Sequence, residues 1–99
     1  MKNSFYSQKI KNKNLQKIAV ALKYKYGEDK EPTVIASGKG LIAENMVKKA
    51  LEHQIPLYED TALTQILSKV KVGHSIPEEL YEVVAEIIAM VYRLEKKVA

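Results

Sequence analysis

Three groups of residues have types and spacings that chemistry could use. The first is Gly38-Lys39-Gly40-Leu41-Ile42-Ala43, a G-x-G-x-x-A pattern between a short apolar run and a helical one, with Glu59 and Asp60 further on. That arrangement imitates a dinucleotide-binding fingerprint. The match is weak, because 99 residues cannot hold a two-halved nucleotide sheet and tight strand-to-helix turns call for glycine anyway. No Lys-Ser/Thr follows at the spacing of a phosphate-binding P-loop. The second group is His53 and His74, isolated from each other and outside any HxxxH or HExxH pattern, so neither suggests a metal site. The third is Glu78, Glu79, Glu82 and Glu86, which could be paired carboxylates for acid–base work. At helical spacing, such a run is more often a solvated face. With no cysteine there is no thiol nucleophile, thiolate metal site or disulfide. No cofactor and no metal is expected.

Charge is unevenly placed. The net charge is +4, but residues 1–17 carry five lysines (Lys2, Lys9, Lys11, Lys13, Lys17) and no acid. The remaining residues hold eleven bases against twelve acids. Basicity therefore lives in the first segment, read as residues 1–13, a basic and disordered tail with Phe5, Tyr6 and Ile10 as its sizeable apolar groups. Such a tail could touch nucleic acid or an anionic membrane surface. Without an RNP-like aromatic motif or a basic recognition helix, no specific nucleic-acid partner is expected. The chain has no apolar run long enough to span a bilayer and no signal-peptide core. It reads as cytoplasmic.

The elements that position these residues follow from periodicity. Ile18, Val20, Leu22 and Tyr24 alternate with Ala19, Ala21, Lys23 and Lys25, the period of a strand. A charged turn follows at Gly27–Pro32, then a strand at Thr33–Ser37, a helix at Leu41–His53 and a strand at Ile55–Tyr58. The first helix presents Leu41, Met46, Val47, Ala50 and Leu51 at helical spacing. The strand–helix–strand unit implies parallel pairing across a right-handed crossover. Asp60 caps a short helix, Thr61–Ser68. Ser75 and Glu78 form a capping-box pattern before the last helix, which runs to about Lys96. Its expected inward stripe is Leu80, Val83, Val84, Ile87, Val91 and Leu94, with Ala85 and Ile88 on a flank. An exposed edge near Ile18–Tyr24 would invite self-pairing; a monomer is nonetheless expected. The fold class is α/β, a small three- to four-stranded mixed sheet packed with three to four helices.

The stretches IAVALKY (Ile18–Tyr24), PTVIASGKG (Pro32–Gly40), HQIPLYED (His53–Asp60) and IPEELYEVVAEIIAMVYRL (Ile76–Leu94) resemble the cytoplasmic domain of the FlhB/YscU family. These are the substrate-specificity switch proteins of flagellar and type III secretion export. The resemblance covers roughly Asn14–Glu95, so residues 14–99 are read as one FlhB-like cytoplasmic domain. Full-length members carry a transmembrane domain ahead of it; this chain, starting at Met1, reads as a stand-alone homologue.

The resemblance implies a reaction and a binding site. In the family, Asn-Pro-Thr-His precedes the strand equivalent to Ile18–Tyr24, and the Asn side chain attacks its own carbonyl and breaks the Asn–Pro bond. Here Asn14 survives, but Leu15, Gln16 and Lys17 follow it. Leu15 lifts the backbone restriction that proline imposes. Gln16 lacks the threonine hydroxyl, and Lys17 is charged at neutral pH where histidine titrates. The loop is read as degenerate, with no catalytic residues and self-cleavage lost. In the family, export substrates dock on an apolar patch built from an Ala-Pro pair and the last helix. Carried over, these positions are Glu31, Pro32, Ala85 and Ile88, with Glu31 placing a charge where the family has alanine. The implied partners are flagellar or type III export substrates, the hook-length ruler protein and export-gate membrane proteins, reached at the cytoplasmic face of the export apparatus. Membrane contact would be indirect, through the export gate. The rival readings are an autoproteolytic switch domain cleaving after Asn14, a nucleic-acid-binding protein acting through its tail, and nucleotide binding at Gly38–Ala43.

Overall fold

Strand Ile18–Tyr24 divides the molecule into two layers. The computed structural model describes residues 3–8, 17–25 and 27–98, with side chains from Lys17 to Arg93 apart from Tyr26. The elements, in order, are β1 (Asn3–Gln8), β2 (Ile18–Tyr24), β3 (Thr33–Lys39), α1 (Leu41–Glu52), β4 (Leu57–Glu59), α2 (Thr61–Leu67), a 3-10 turn (Glu78–Leu80) and α3 (Tyr81–Val98). The four strands form one mixed sheet in the order β3-β2-β1-β4. The β1/β2 and β2/β3 pairs are antiparallel and β1/β4 is parallel.

The period of two in β2 sends its residues to different layers. Val20 and Leu22 join Val34, Leu63, Leu67, Ile76, Val84, Ile87, Ile88 and Val91 in a buried cluster beneath α2 and α3. Ala19 and Ala21 are equally buried but face α1, which contributes Ala43 and Ala50. They pair with Gly38 and Ala36 of β3. This layer is made of small residues, and the helix therefore comes close. A Cβ on Gly38 would collide with Ile42 Cγ2 and lie 3.1 Å from Met46 Sδ. Gly40, at φ +61° and ψ −129°, makes the turn into α1 in a conformation that side chains disfavour. Its N–H donates to the Lys17 carbonyl (2.9 Å).

Several expectations are corrected. Asn3–Gln8, read as part of a disordered tail, form β1, between β2 and β4. The physical reason lies in β2: a strand buried on both faces needs hydrogen bonds along both edges, and β1 supplies the second. Residues 1, 2 and 9–13 of that tail lie outside the described residues. Because β1 pairs with β2, the Ile18–Tyr24 edge is covered; β3 and β4 are the sheet's edges. Strands β3 and β4 run the same way but sit at opposite edges, so α1 crosses two strands and the parallel partner of β4 is β1. Leu41 and Leu51 point outward, at 76% and 63% exposure, because Ala43 and Ala50 are the residues that α1 buries against the small-residue face of the sheet. On α3 the stripe is rotated: Val83 is exposed and Ile88 is buried, giving Val84, Ile87, Ile88 and Val91 at i, i+3, i+4 and i+7. Leu80 is half-buried, and the side chain of Leu94 lies outside the described residues.

Capping divides the same way. Asp60 Oδ1 accepts from the Leu63 N–H at 2.9 Å, as expected of an N-cap. Asp60→Ala should therefore cost about 1 kcal/mol, read as a lower urea midpoint with an unchanged slope. The Ser75/Glu78 capping box does not form. Pro77 sits at the head of the 3-10 turn instead, and the Ser75 hydroxyl is used elsewhere.

Candidate functional site

The four residues of the expected docking patch come from two segments 53 positions apart at their inner members (Pro32 and Ala85), and the loop before α3 packs against the first of them. Residues Gly73–Ile76 lie along the first half of β3. The Gly73 N–H donates to the Val34 carbonyl (2.7 Å), the Val34 N–H to the His74 carbonyl (3.0 Å), and the Ile76 N–H to the Pro32 carbonyl (3.1 Å). Ser75 forms an antiparallel bridge with Thr33. This pairing fixes Glu31 and Pro32 beside the start of α3. The Ser75 hydroxyl donates to Glu31 Oε1 at 3.1 Å.

Tyr81 opens α3. Its phenol is pushed above its ordinary value, first by partial desolvation and then by the carboxylates of Glu31 and Glu78. The Glu31 carboxylate is therefore felt at the first residue of α3, and Ala85 lies one turn beyond Tyr81 on the same helix face. Pro32 and Ile88 are buried, Ile88 within the main core, while Glu31 and Ala85 are half-exposed. Tyr81 is half-exposed like Glu31 and Ala85. Sequence reasoning missed Ser75 and Tyr81. Tyr81 could have been found as the residue four before Ala85 on the same stripe. Ser75 carried no such signal, because its partner lies 44 residues away.

The other candidates are separated from this site. Asn14, Leu15 and Gln16 lie outside the described residues; Lys17 is half-buried at the start of β2. Gly38 and Gly40 answer to packing and backbone conformation, as above. His53 ends α1, with its ring Nδ1 2.9 Å from the Lys49 carbonyl in an exposed position. His74 is exposed in the loop beside β3. Glu78, Glu79, Glu82 and Glu86 are all exposed. Among the described residues no group of three or more His, Asp or Glu is placed to hold a metal ion. None of the helices described is long and apolar enough to cross a membrane.

A mixed four-stranded sheet with α1 on one layer and α2 and α3 on the other is the architecture of a known class of C-terminal domain. The cytoplasmic domain of FlhB from Shewanella putrefaciens superposes with a TM-score of 0.75 at 29% identity, covering 89% of this chain and 67% of that one. A mutated EscU C-terminal domain gives 0.75 at 31% identity, covering 88% and 76%. The chain belongs to the FlhB HrpN YscU SpaS family, whose model matches residues 13–91. Among its relatives, YlqH of Bacillus subtilis (strain 168) is 45% identical over 80 residues, 81% of this chain and 86% of that protein. The flagellar biosynthetic protein FlhB of Aquifex aeolicus is 45% identical over 82 residues, 82% of this chain but only 23% of that protein. The chain therefore spans less than a quarter of that FlhB, and corresponds to the region solved as its relatives' cytoplasmic domain.

Proposed function

We propose that this chain is a non-cleaving FlhB-like domain that binds flagellar or type III export substrates, or components of the export gate, and takes part in export and its substrate control. The observation that carries this reading is the family match across residues 13–91 combined with Leu15-Gln16-Lys17 after Asn14. The fold is kept, and the residues that would restrain the backbone and move a proton are replaced. The domain would act as a binding module in one fixed covalent state, as a monomer in the cytoplasm, recruited to the cytoplasmic face of the export apparatus. Candidate partners are early rod- and hook-type substrates, the hook-length ruler protein and the gate's membrane proteins. The docking surface would be the rim of Glu31, Tyr81 and Ala85 over the floor of Pro32 and Ile88.

Two measurements test the two halves of this reading. Intact mass of the purified chain should remain at 11.2 kDa after prolonged incubation at neutral pH. A fragment ending at Asn14, formed without protease, would show that the loop still cuts. Sedimentation velocity of the chain mixed with a purified hook-type export substrate should give a faster boundary than either alone. Two independent boundaries at high micromolar concentration would count against substrate binding.

A further inference from the structure

Glu31 lies between two surfaces. On one side it accepts the Ser75 hydroxyl from the loop before α3 and raises the titration of the Tyr81 phenol. On the other it lines a cleft of about 330 Å3 together with Lys23, Thr33 and Ile35. Ile35 is the extra residue of β3: Ala36 pairs with Ala21 and Val34 with Leu22, leaving Ile35 in a bulge and 45% exposed. Bulges commonly re-aim a side chain in this way.

The carboxylates around the cleft are not equivalent. Glu28 is paired with Lys25 Nζ at 2.8 Å. Asp29 accepts the Lys25 backbone N–H at 2.8 Å. Glu31 receives the Ser75 hydroxyl on one oxygen, which holds the side chain in place and leaves the second oxygen available. Lys23 and Lys30 also line the cleft, against Glu28, Asp29 and Glu31, so its lining carries one net negative charge. An apolar residue beside a positioned carboxylate suits a long basic side chain, whose methylene stem covers Ile35 while its head reaches Glu31.

We infer that this cleft receives a lysine or arginine side chain of the segment docked along Tyr81 and Ala85. The surface then reads an apolar anchor and a neighbouring basic residue together, with Glu31 as the specificity-determining group between them. This inference rests on the docking reading above, and the test separates the two.

Two synthetic peptides share one leucine–valine anchor, with arginine beside it in the first and glutamine in the second. Each is titrated into the 15N-labelled full chain, into Glu31→Gln and into Ser75→Ala. Both peptides should shift the amides of Tyr81 and Ala85, but only the arginine peptide should shift Thr33 and Ile35. It should bind about fivefold more tightly than the glutamine peptide, as expected of one partly exposed ion pair. The preference should vanish in Glu31→Gln and weaken in Ser75→Ala, with the shifts at Ala85 retained; unchanged spectra elsewhere establish that both variants fold. Equal affinities for the two peptides, or equal shifts at Thr33 and Ile35, overturn the inference and leave the docking reading standing. No shift at Tyr81 or Ala85 with either peptide overturns both.

Discussion

Leu22→Ala should unfold this domain at a markedly lower temperature. Leu22 is fully buried in a strand hydrogen-bonded on both edges, in contact with a core drawn from β3, α2, α3 and the loop at Ile76. Truncation leaves a cavity that strands paired on both sides cannot close. The cost should be about 3 kcal/mol, which for a domain of this length lowers the melting temperature by roughly 15 °C. Val83→Ala is the matched control on α3. Val83 is 45% exposed, so its truncation should change stability by less than about 0.5 kcal/mol. Thermal denaturation followed by circular dichroism reads both. Comparable losses for the two variants would mean that the α3 stripe is the one expected from sequence, centred nearer Val83, and that the layer assignment is wrong.

Gly38→Ala should destabilise the opposite layer by overpacking. The added Cβ collides with Ile42 Cγ2 and lies 3.1 Å from both Ile42 Cβ and Met46 Sδ. The Ile42 Cβ and Cγ2 atoms sit within two bonds of the α1 backbone, so relief requires Ile42 to leave its rotamer or the helix to shift. The expected cost is about 1–3 kcal/mol. Ile42 is itself 62% exposed, and Ile42→Ala alone should cost little. The double variant should recover much of the Gly38→Ala loss, with a coupling of at least about 0.5 kcal/mol in a double-mutant cycle. Additive losses would contradict the contact. The same result separates packing from nucleotide binding as the reason for the glycines at 38 and 40, since a nucleotide site would leave apo stability unaffected.

What the sequence made legible is what local periodicity encodes. Ile18–Tyr24 alternates cleanly and is a strand over that same span. Asp60 has the side chain a cap needs and makes the hydrogen bond. The α/β class and the mixed sheet followed from such segments and from the family resemblance. What escaped was decided by partners distant in the chain. Asn3–Gln8 offers only Phe5 and Tyr6 as strand formers among polar residues, and its place in the sheet comes from the needs of β2 and β4. The helical period of α1 pointed Leu41 and Leu51 inward. Against the alanine and glycine face of the sheet it is Ala43 and Ala50 that are fully buried. Ser75 looked like a helix cap and instead orients Glu31, 44 residues before it. For the candidate site, sequence supplied the positions Glu31, Pro32, Ala85 and Ile88 by analogy. Their division into a buried floor and an exposed rim depends on tertiary packing, which no window of sequence contains.

The most direct test of the central claim is a backbone amide shift titration of the labelled full chain with an early flagellar export substrate. Saturable shifts centred on Glu31, Tyr81, Ala85 and Ile88 are the predicted result, since the rim would contact the substrate and the floor would feel it. Unchanged amides at those positions at saturating substrate would contradict the account, leaving Pro32 and Ile88 as core residues alone.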